Sequence, residues 1–411
     1  VSVTDHPICV VGCGIGATWL PPPAAAVVAG ADVLVGGRRL LEAFAGHAGA
    51  RIPIAGPLSA VCEAMAEAVT AGRAVAVLAD GDPLFFGIGR FLLERFGADR
   101  LAFFPGVTTV AAACARLGRA WHDLPAVSLH GRGDMLPLFA ALCREGAVAV
   151  YTDAVHTPSA IAARLRERGG DAFILHVCED MGLPGERLLR LTLAEAVDTE
   201  FSPLNLVLVE RVRPVDAPLS LGMEDDALLR QDRVFTKKSV RAVSLAALAP
   251  RAGDVVWDVG AGTGAVALEA SLLTSGGPVF AVERDPDRAG LLAENIRRTG
   301  ALTVTPVCGE APDALADLPA PNRVFVGGGM AGRRDLLPWL CERLLPGGRI
   351  VVNCVLLGSL QRALADFEAA GLSATLTQLQ AATATPLAGD LRLCGENPVA
   401  ILAAAKEESH V

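Results

Sequence analysis

The residues of this chain that can do chemistry gather in two sets, and the sharper one lies in GDVVWDVGAGTGAVALEAS. There Asp258 closes an apolar run, and Gly260, Gly262 and Gly264 follow at alternate positions before a helical stretch. Glycines at this spacing let the backbone turn tightly against a ligand, and the helix behind them aims its free N–H groups at it. The spacing is GxGxG instead of the GxGxxG of dinucleotide sites. With an acid in front, it suits a donor carrying an amino-acid sulfonium better than a pyrophosphate. Glu283 ends the next apolar run, 283 − 260 = 23 residues beyond the first glycine, where a carboxylate can accept both hydroxyls of a ribose. A third run leads to Gly309, Glu310 and Ala311, in the place where an adenine is contacted in such folds.

The second set is spread through the first half. The run VAVLA opens into Gly81-Asp82-Pro83, a tight turn. Pro105-Gly106-Val107-Thr108-Thr109 precedes an alanine-rich helix, so Thr108 or Thr109 serves as an N-cap, a ligand contact or both. Thr152-Asp153 ends a further run. The opening VVGCGIG, with Asp32 beyond it, invites a nucleotide-loop reading, but Ala17-Thr18-Trp19-Leu20-Pro21-Pro22-Pro23 breaks the long helix that reading needs. A turn lining a cleft is expected instead.

Charge limits the ligands. With 36 Lys+Arg against 45 Asp+Glu the net charge is −9, which disfavours steering to nucleic acid or anionic lipid. An anionic ligand must then be met by local clusters such as Arg132, Lys237-Lys238 with Arg241, and Arg333-Arg334. Ten cysteines show no CxxC pair and no Cys/His group at metal-site spacing, so no metal is expected. The opening lacks a basic segment followed by an apolar one, and no apolar run reaches about 18 residues. A cytoplasmic chain with no membrane span is expected.

The elements that must position these residues are legible as β-branched runs alternating with Ala/Leu-rich stretches, which predicts α/β architecture with largely parallel sheets. Eleven runs read as strands: 8–11, 33–35, 74–78, 147–151, 173–178 and 206–209, then 255–259, 279–282, 303–307, 323–326 and 349–352. Between the two series, RVRPVDAPLSLGMEDDALL breaks the pattern with prolines and acids. Two domains are expected, residues 1–212 and 226–411, joined by a linker over 213–225.

The second half resembles the class I S-adenosylmethionine (SAM) methyltransferases, on Asp258 and its glycine turn, Glu283, Gly309–Ala311 and LLPGGRIVVN. The first half, in LADGDPLFFGIGRFL, FFPGVTTVAAACARLG, VSLHGRG, VYTDAVHTPSAIA and HVCEDMGLPGERLLRLTLAEAV, resembles the two-lobed class III tetrapyrrole methylase superfamily. Joined, they resemble the precorrin-6Y C-5,15-methyltransferases (decarboxylating) of vitamin B12 biosynthesis. That resemblance implies one SAM site per domain and a polycarboxylate tetrapyrrole, precorrin-6B. The first half would methylate C-5; the second would methylate C-15 and decarboxylate the C-12 acetate, giving precorrin-8. It further implies donor contacts at Gly81, Asp82, Pro83, Thr108, Thr109 and Thr152, and substrate-carboxylate contacts at Arg132, Lys237 and Arg241. A homo-oligomer assembled through the class I half is expected. Two departures stand out. Ile15-Gly16-Ala17 replaces a family Pro-Gly-Asp, and the fourth strand is followed by Gly327-Gly328-Gly329 in place of an Asn/Asp-Pro-Pro-aromatic clamp. An RNA-modifying SAM enzyme and a non-catalytic SAM-binding module are the competing readings.

Overall fold

The computed structural model describes residues 8–16, 20–231, 235–328 and 333–408. Ala17-Thr18-Trp19 and Gly329 lie outside them. The first sheet holds β1 (Ile8–Gly12), β2 (Val33–Gly36), β3 (Ala50–Pro53), β4 (Val75–Ala79) and β5 (Leu101–Phe104), all parallel, in the order β3-β2-β4-β1-β5. β2 and β4 are buried along their whole length. Continuous Val/Leu runs of this kind are what a parallel sheet covered on both faces requires.

The second sheet holds β6 (Ala126–Ser128), β7 (Ala147–Tyr151), β8 (Phe173–Glu179), β9 (Arg187–Thr192) and β10 (Asn205–Arg211), in the order β6-β7-β10-β8-β9. Here the expectation of largely parallel sheets fails. β6 and β7 are parallel, but β10 runs antiparallel to both β7 and β8, and β9 antiparallel to β8. The turn from β8 to β9 is too short for the helical crossover that a parallel neighbour needs.

The third sheet orders β13 (Val304–Cys308), β12 (Val279–Glu283), β11 (Val256–Val259), β14 (Arg323–Val326), β15 (Arg349–Cys354), β19 (Val399–Ala405) and β16 (Ala374–Leu379). β11 to β15 are parallel, and β19 is antiparallel to its neighbours β15 and β16. A separate two-stranded ribbon, β17 (Ala382–Leu387) with β18 (Asp390–Gly395), carries Leu387, Leu391 and Leu393 exposed to solvent. Strand order reverses between β11 and β14, which opens a crevice beyond the C-terminal ends of these strands.

The halves touch through side chains. Arg168, in the helix Pro158–Gly169, donates to the carbonyls of Leu302 and Val304 at 2.7 and 3.0 Å and to the Thr305 hydroxyl at 2.9 Å. Leu302 itself is fully buried in the apolar cluster of the second sheet, with Leu165 and Phe173. Residues 212–231 contain no helix or strand, yet Ala217, Met223 and Leu228 bury in the core under the third sheet.

Candidate active site

At the end of β11 the chain turns at Gly260, whose φ is +73° and where an added Cβ would lie 3.0 Å from the backbone of Gly328. Gly264 has φ +91°, and a Cβ there would strike Leu292 at 2.2 Å. Side chains at these two positions would force the turn away from the end of β14 and from the helix Pro286–Thr299 that carries Leu292. Glu283, ending β12 and nearly buried, accepts from the N–H groups of Gly262 at 2.8 Å and Asp285 at 3.0 Å. A carboxylate has about four acceptor positions, so two remain for vicinal hydroxyls. Gly309 donates to the Glu283 carbonyl at 3.0 Å. Glu310 lies 3.8 Å from the Arg284 guanidinium and 3.6 Å from that of Arg333.

Asp258 is 1% exposed. Its Oδ2 accepts from the Ala267 N–H at 2.9 Å, and its Oδ1 is buried with no partner. Burial pushes this carboxyl up to about 7, with the Ala267 N–H opposing the shift and the Glu283 charge adding to it. Asp258, Gly260, Gly262, Glu283, Gly309, Glu310 and Ala311 line one cavity of about 760 Å³, and Gly264 shapes the turn from behind it. An orphaned buried acid, a ribose-type acid and a glycine turn in which a Cβ at Gly262 would project into open space together fit a cationic adenosyl donor.

The same cavity is lined by Phe235, Thr236 and Lys237 from the strap that precedes the helix Lys238–Leu248, by Asn353 from β15, and by Glu396 from the turn between β18 and β19. The Lys237 Nζ lies 4.2 Å from the Phe235 ring centroid. Arg230 stacks on the same ring at 4.7 Å. Arg241 does not keep its place. Expected to meet a substrate carboxylate, it is wholly buried, with Nε 2.6 Å from Glu269 and the rest of the guanidinium on Asp225 (3.3 Å) and the carbonyls of Thr236 (2.9 Å) and Met223 (2.5 Å). Glu269 in turn accepts from the N–H groups of Gly222 and Met223. The Arg241 charge is satisfied inside the protein, and its role is to fasten the strap.

In the first half the turns after β1, β4 and β5 converge. Gly14 and Gly81 exchange backbone hydrogen bonds at 3.2 and 3.0 Å. Asp82 accepts from Leu84 N–H (2.9 Å) and Gly106 N–H (3.2 Å), and the Pro83 carbonyl accepts from Gly89 N–H (2.8 Å). Thr108 is the N-cap of the helix Thr109–Leu117, its hydroxyl accepting from Ala111 N–H at 3.0 Å. Thr109 is the first residue of that helix, and Tyr151 meets Phe85 and Phe86 at ring distances of 6.3 and 5.4 Å. Thr152 turns onto the sheet, donating to the Asn205 side chain at 2.8 Å. Arg132 is exposed, and its Nε donates to the Ser128 carbonyl at 2.7 Å. Its loop is pinned by Asp153, which accepts from the N–H groups of His156, Val155 and Gly131. Those bonds, that of His156 first, hold the Asp153 carboxyl down at about 2.

Two family models match the chain: "Tetrapyrrole (Corrin/Porphyrin) Methylases" over residues 7–197 and "Precorrin methyltransferase domain" over 227–406. A Sinorhizobium sp protein named precorrin-6Y C(5,15)-methyltransferase [decarboxylating] is 36% identical over 388 residues, 92% of each chain. The chain belongs to that family. The precorrin-6Y C(5,15)-methyltransferases (decarboxylating) are SAM-dependent C-methyltransferases, and so is this chain. Two Salmonella typhimurium proteins correspond to parts of it. The cobalt-precorrin-6B C(15)-methyltransferase (decarboxylating) is 37% identical over 46% of this chain and 98% of its own length, and the cobalt-precorrin-7 C(5)-methyltransferase is 33% identical over 49% and 96%. Against the family motifs, sequence reasoning missed the aromatic group around Tyr151, signalled by the Phe85-Phe86 pair, and Glu396, an isolated acid that nothing in the sequence marks.

Proposed function

We propose that this chain methylates precorrin-6B at C-5 and C-15 and removes the C-12 acetate carboxyl as CO2, giving precorrin-8. The first half, up to about residue 212, would handle C-5; the half from 226 would handle C-15 and the decarboxylation, with 213–225 between them. Each half holds its own donor. In the second half Glu283 takes the ribose, Gly309–Ala311 border the adenine, and Asp258 with Gly260, Gly262 and Gly264 faces the methionyl end. In the first half the turns at Gly81-Asp82-Pro83 and Thr108-Thr109 form the donor cradle, beside Thr152. The observation that carries this reading is the 760 Å³ cavity of the second half, in which Asp258, Gly260, Gly262, Glu283 and Gly309–Ala311 share walls with Lys237, Phe235 and Asn353.

When bound, SAM supplies an electrophilic methyl group on a sulfonium. Transfer to an electron-rich ring carbon asks the protein to orient the partners and exclude water, not to provide a nucleophile. Lys237 in the second site and Arg132 in the first are the cations for substrate carboxylates, Arg132 steadied through Asp153. The net charge of −9 argues against a nucleic-acid substrate. Exposed Leu387, Leu391 and Leu393 on the β17–β18 ribbon support self-association through the second half. No helix among the described residues is long and apolar enough to cross a membrane, and we place the enzyme in the cytoplasm.

Calorimetric titration of the full chain with S-adenosylhomocysteine tests the two-site reading. Two equivalents are expected, falling to one in Glu283→Ala; a single equivalent in the unaltered chain refutes it.

A further inference from the structure

We infer that Glu396 is the acid that delivers the proton replacing the lost carboxyl group. This rests on the decarboxylating activity proposed above and assigns a step that the donor site does not perform. Loss of CO2 breaks the bond between the acetate CH2 and its carboxylate, and the electron pair passes into the conjugated imine as an exocyclic enamine. A methyl group results only when that carbon forms a new C–H bond. In the assigned step the Glu396 O–H breaks as the C–H forms, the enamine electrons return to the imine, and Glu396 is left as carboxylate to be reprotonated by water.

Four acids line the cavity: Asp258, Glu283, Glu310 and Glu396. Glu283 is engaged by two backbone N–H groups at the ribose position, Glu310 faces Arg284 and Arg333, and Asp258 lies beneath the glycine turn at the donor's cationic end. Glu396 stands apart from this cradle. Because β19 runs antiparallel to β15, with Cys354 opposite Ala400, the turn before β19 reaches the same edge of the sheet as the end of β15. The backbone there is fixed by Glu396 N–H to the Ala381 carbonyl at 2.8 Å. The Glu396 Oε2 is buried without a partner, while the residue as a whole is half-buried.

An unpartnered buried carboxylate oxygen is costly in the ionised form, and a negative charge here also opposes entry of a substrate that carries many carboxylates. Lys237 is the other proton-bearing group on the acceptor side, but its ammonium lies on the Phe235 ring, which suits it to hold a carboxylate.

The test uses the full chain with SAM and precorrin-6B, following products by mass and deuterium uptake from D2O into the new methyl group. The unaltered enzyme must first lose CO2; if it does not, the functional reading itself fails. Given that it does, Glu396→Gln is expected to lower the ratio of the rate of deuterium uptake into the new methyl group to the rate of methylation about 100-fold, within the usual range for a general acid. Glu396→Asp restores part of it. A Gln variant with an unchanged ratio, one losing methylation and decarboxylation in equal measure, or a ratio lowered by Lys237→Met instead, overturns the assignment.

Discussion

Replacing Arg241 with methionine removes a guanidinium that is wholly buried and leaves Glu269, 1% exposed, without its cation. Two backbone N–H groups still reach Glu269, but the charge loses its 2.6 Å partner, and the carbonyls of Met223 and Thr236 lose theirs. Breaking one side of a buried ion pair costs about 3–5 kcal/mol. For a unit of this size each kcal/mol moves the thermal midpoint by about 2–4 °C, so a drop on the order of 6–20 °C is expected. The strap carrying Phe235, Thr236 and Lys237 hangs from the same guanidinium, so the substrate KM of the second site rises while C-5 methylation is spared. Thermal melts of Arg241→Met and of Arg241→Met/Glu269→Met, beside product assays, measure both effects. The double variant should regain much of the loss, because an apolar pair of similar volume often equals a buried ion pair. An unchanged midpoint with a raised KM would refute this account and return Arg241 to the substrate-binding role its position in the sequence suggested.

Asp258→Asn should raise stability and weaken donor binding together. The folded carboxyl titrates at about 7 against 3.8 when solvated, so its contribution favours the folded state below pH 3.8 and is lost as pH rises towards 7. The shift corresponds to about 4 kcal/mol, and the Asn variant should melt higher than the parent at pH 8 while binding SAM less tightly by calorimetry. In the parent, affinity at this site should fall as pH drops below 7. Leu391→Ser with Leu393→Ser should convert the assembly to smaller species in sedimentation velocity, with each donor site intact; an unchanged sedimentation coefficient counts against the ribbon as a contact.

The gathering of the second site's residues around one cavity was legible because they recur along the chain at strand ends: an acid and glycines, then an acid, then Gly309. A parallel sheet brings successive strand ends to one edge, so linear spacing translates directly into a cradle. The eleven β-branched runs were legible as strands for a related reason, since burial on both faces leaves continuous apolar sequence. The remaining strands were not. β9 and β16 to β18 are largely exposed, so no apolar run marks them, and β9 and β10 set the antiparallel pairing of the second sheet. Arg241 was misread because a basic residue in a substrate-facing segment shows its charge but not its partner. That partner, Glu269, lies 28 residues on, in the middle of another helix. Thr108 was legible only as an ambiguity, and the structure gives it the capping bond.

Leu302 and Arg168 make the two catalytic units mortise and tenon. The leucine belongs to the chain of the second unit but completes the apolar filling of the first, while the arginine holds its own carbonyl and the backbone just after it. Covalent linkage keeps the pieces at an effective concentration in the millimolar range, so the joint can persist without strong affinity of its own. A split of such a gene into two independent enzymes would therefore leave a notch in one and a stranded leucine on the other. Each half would have to be resurfaced around that position and its neighbours, such as Arg144 on the Ser275 carbonyl, before it could stand alone.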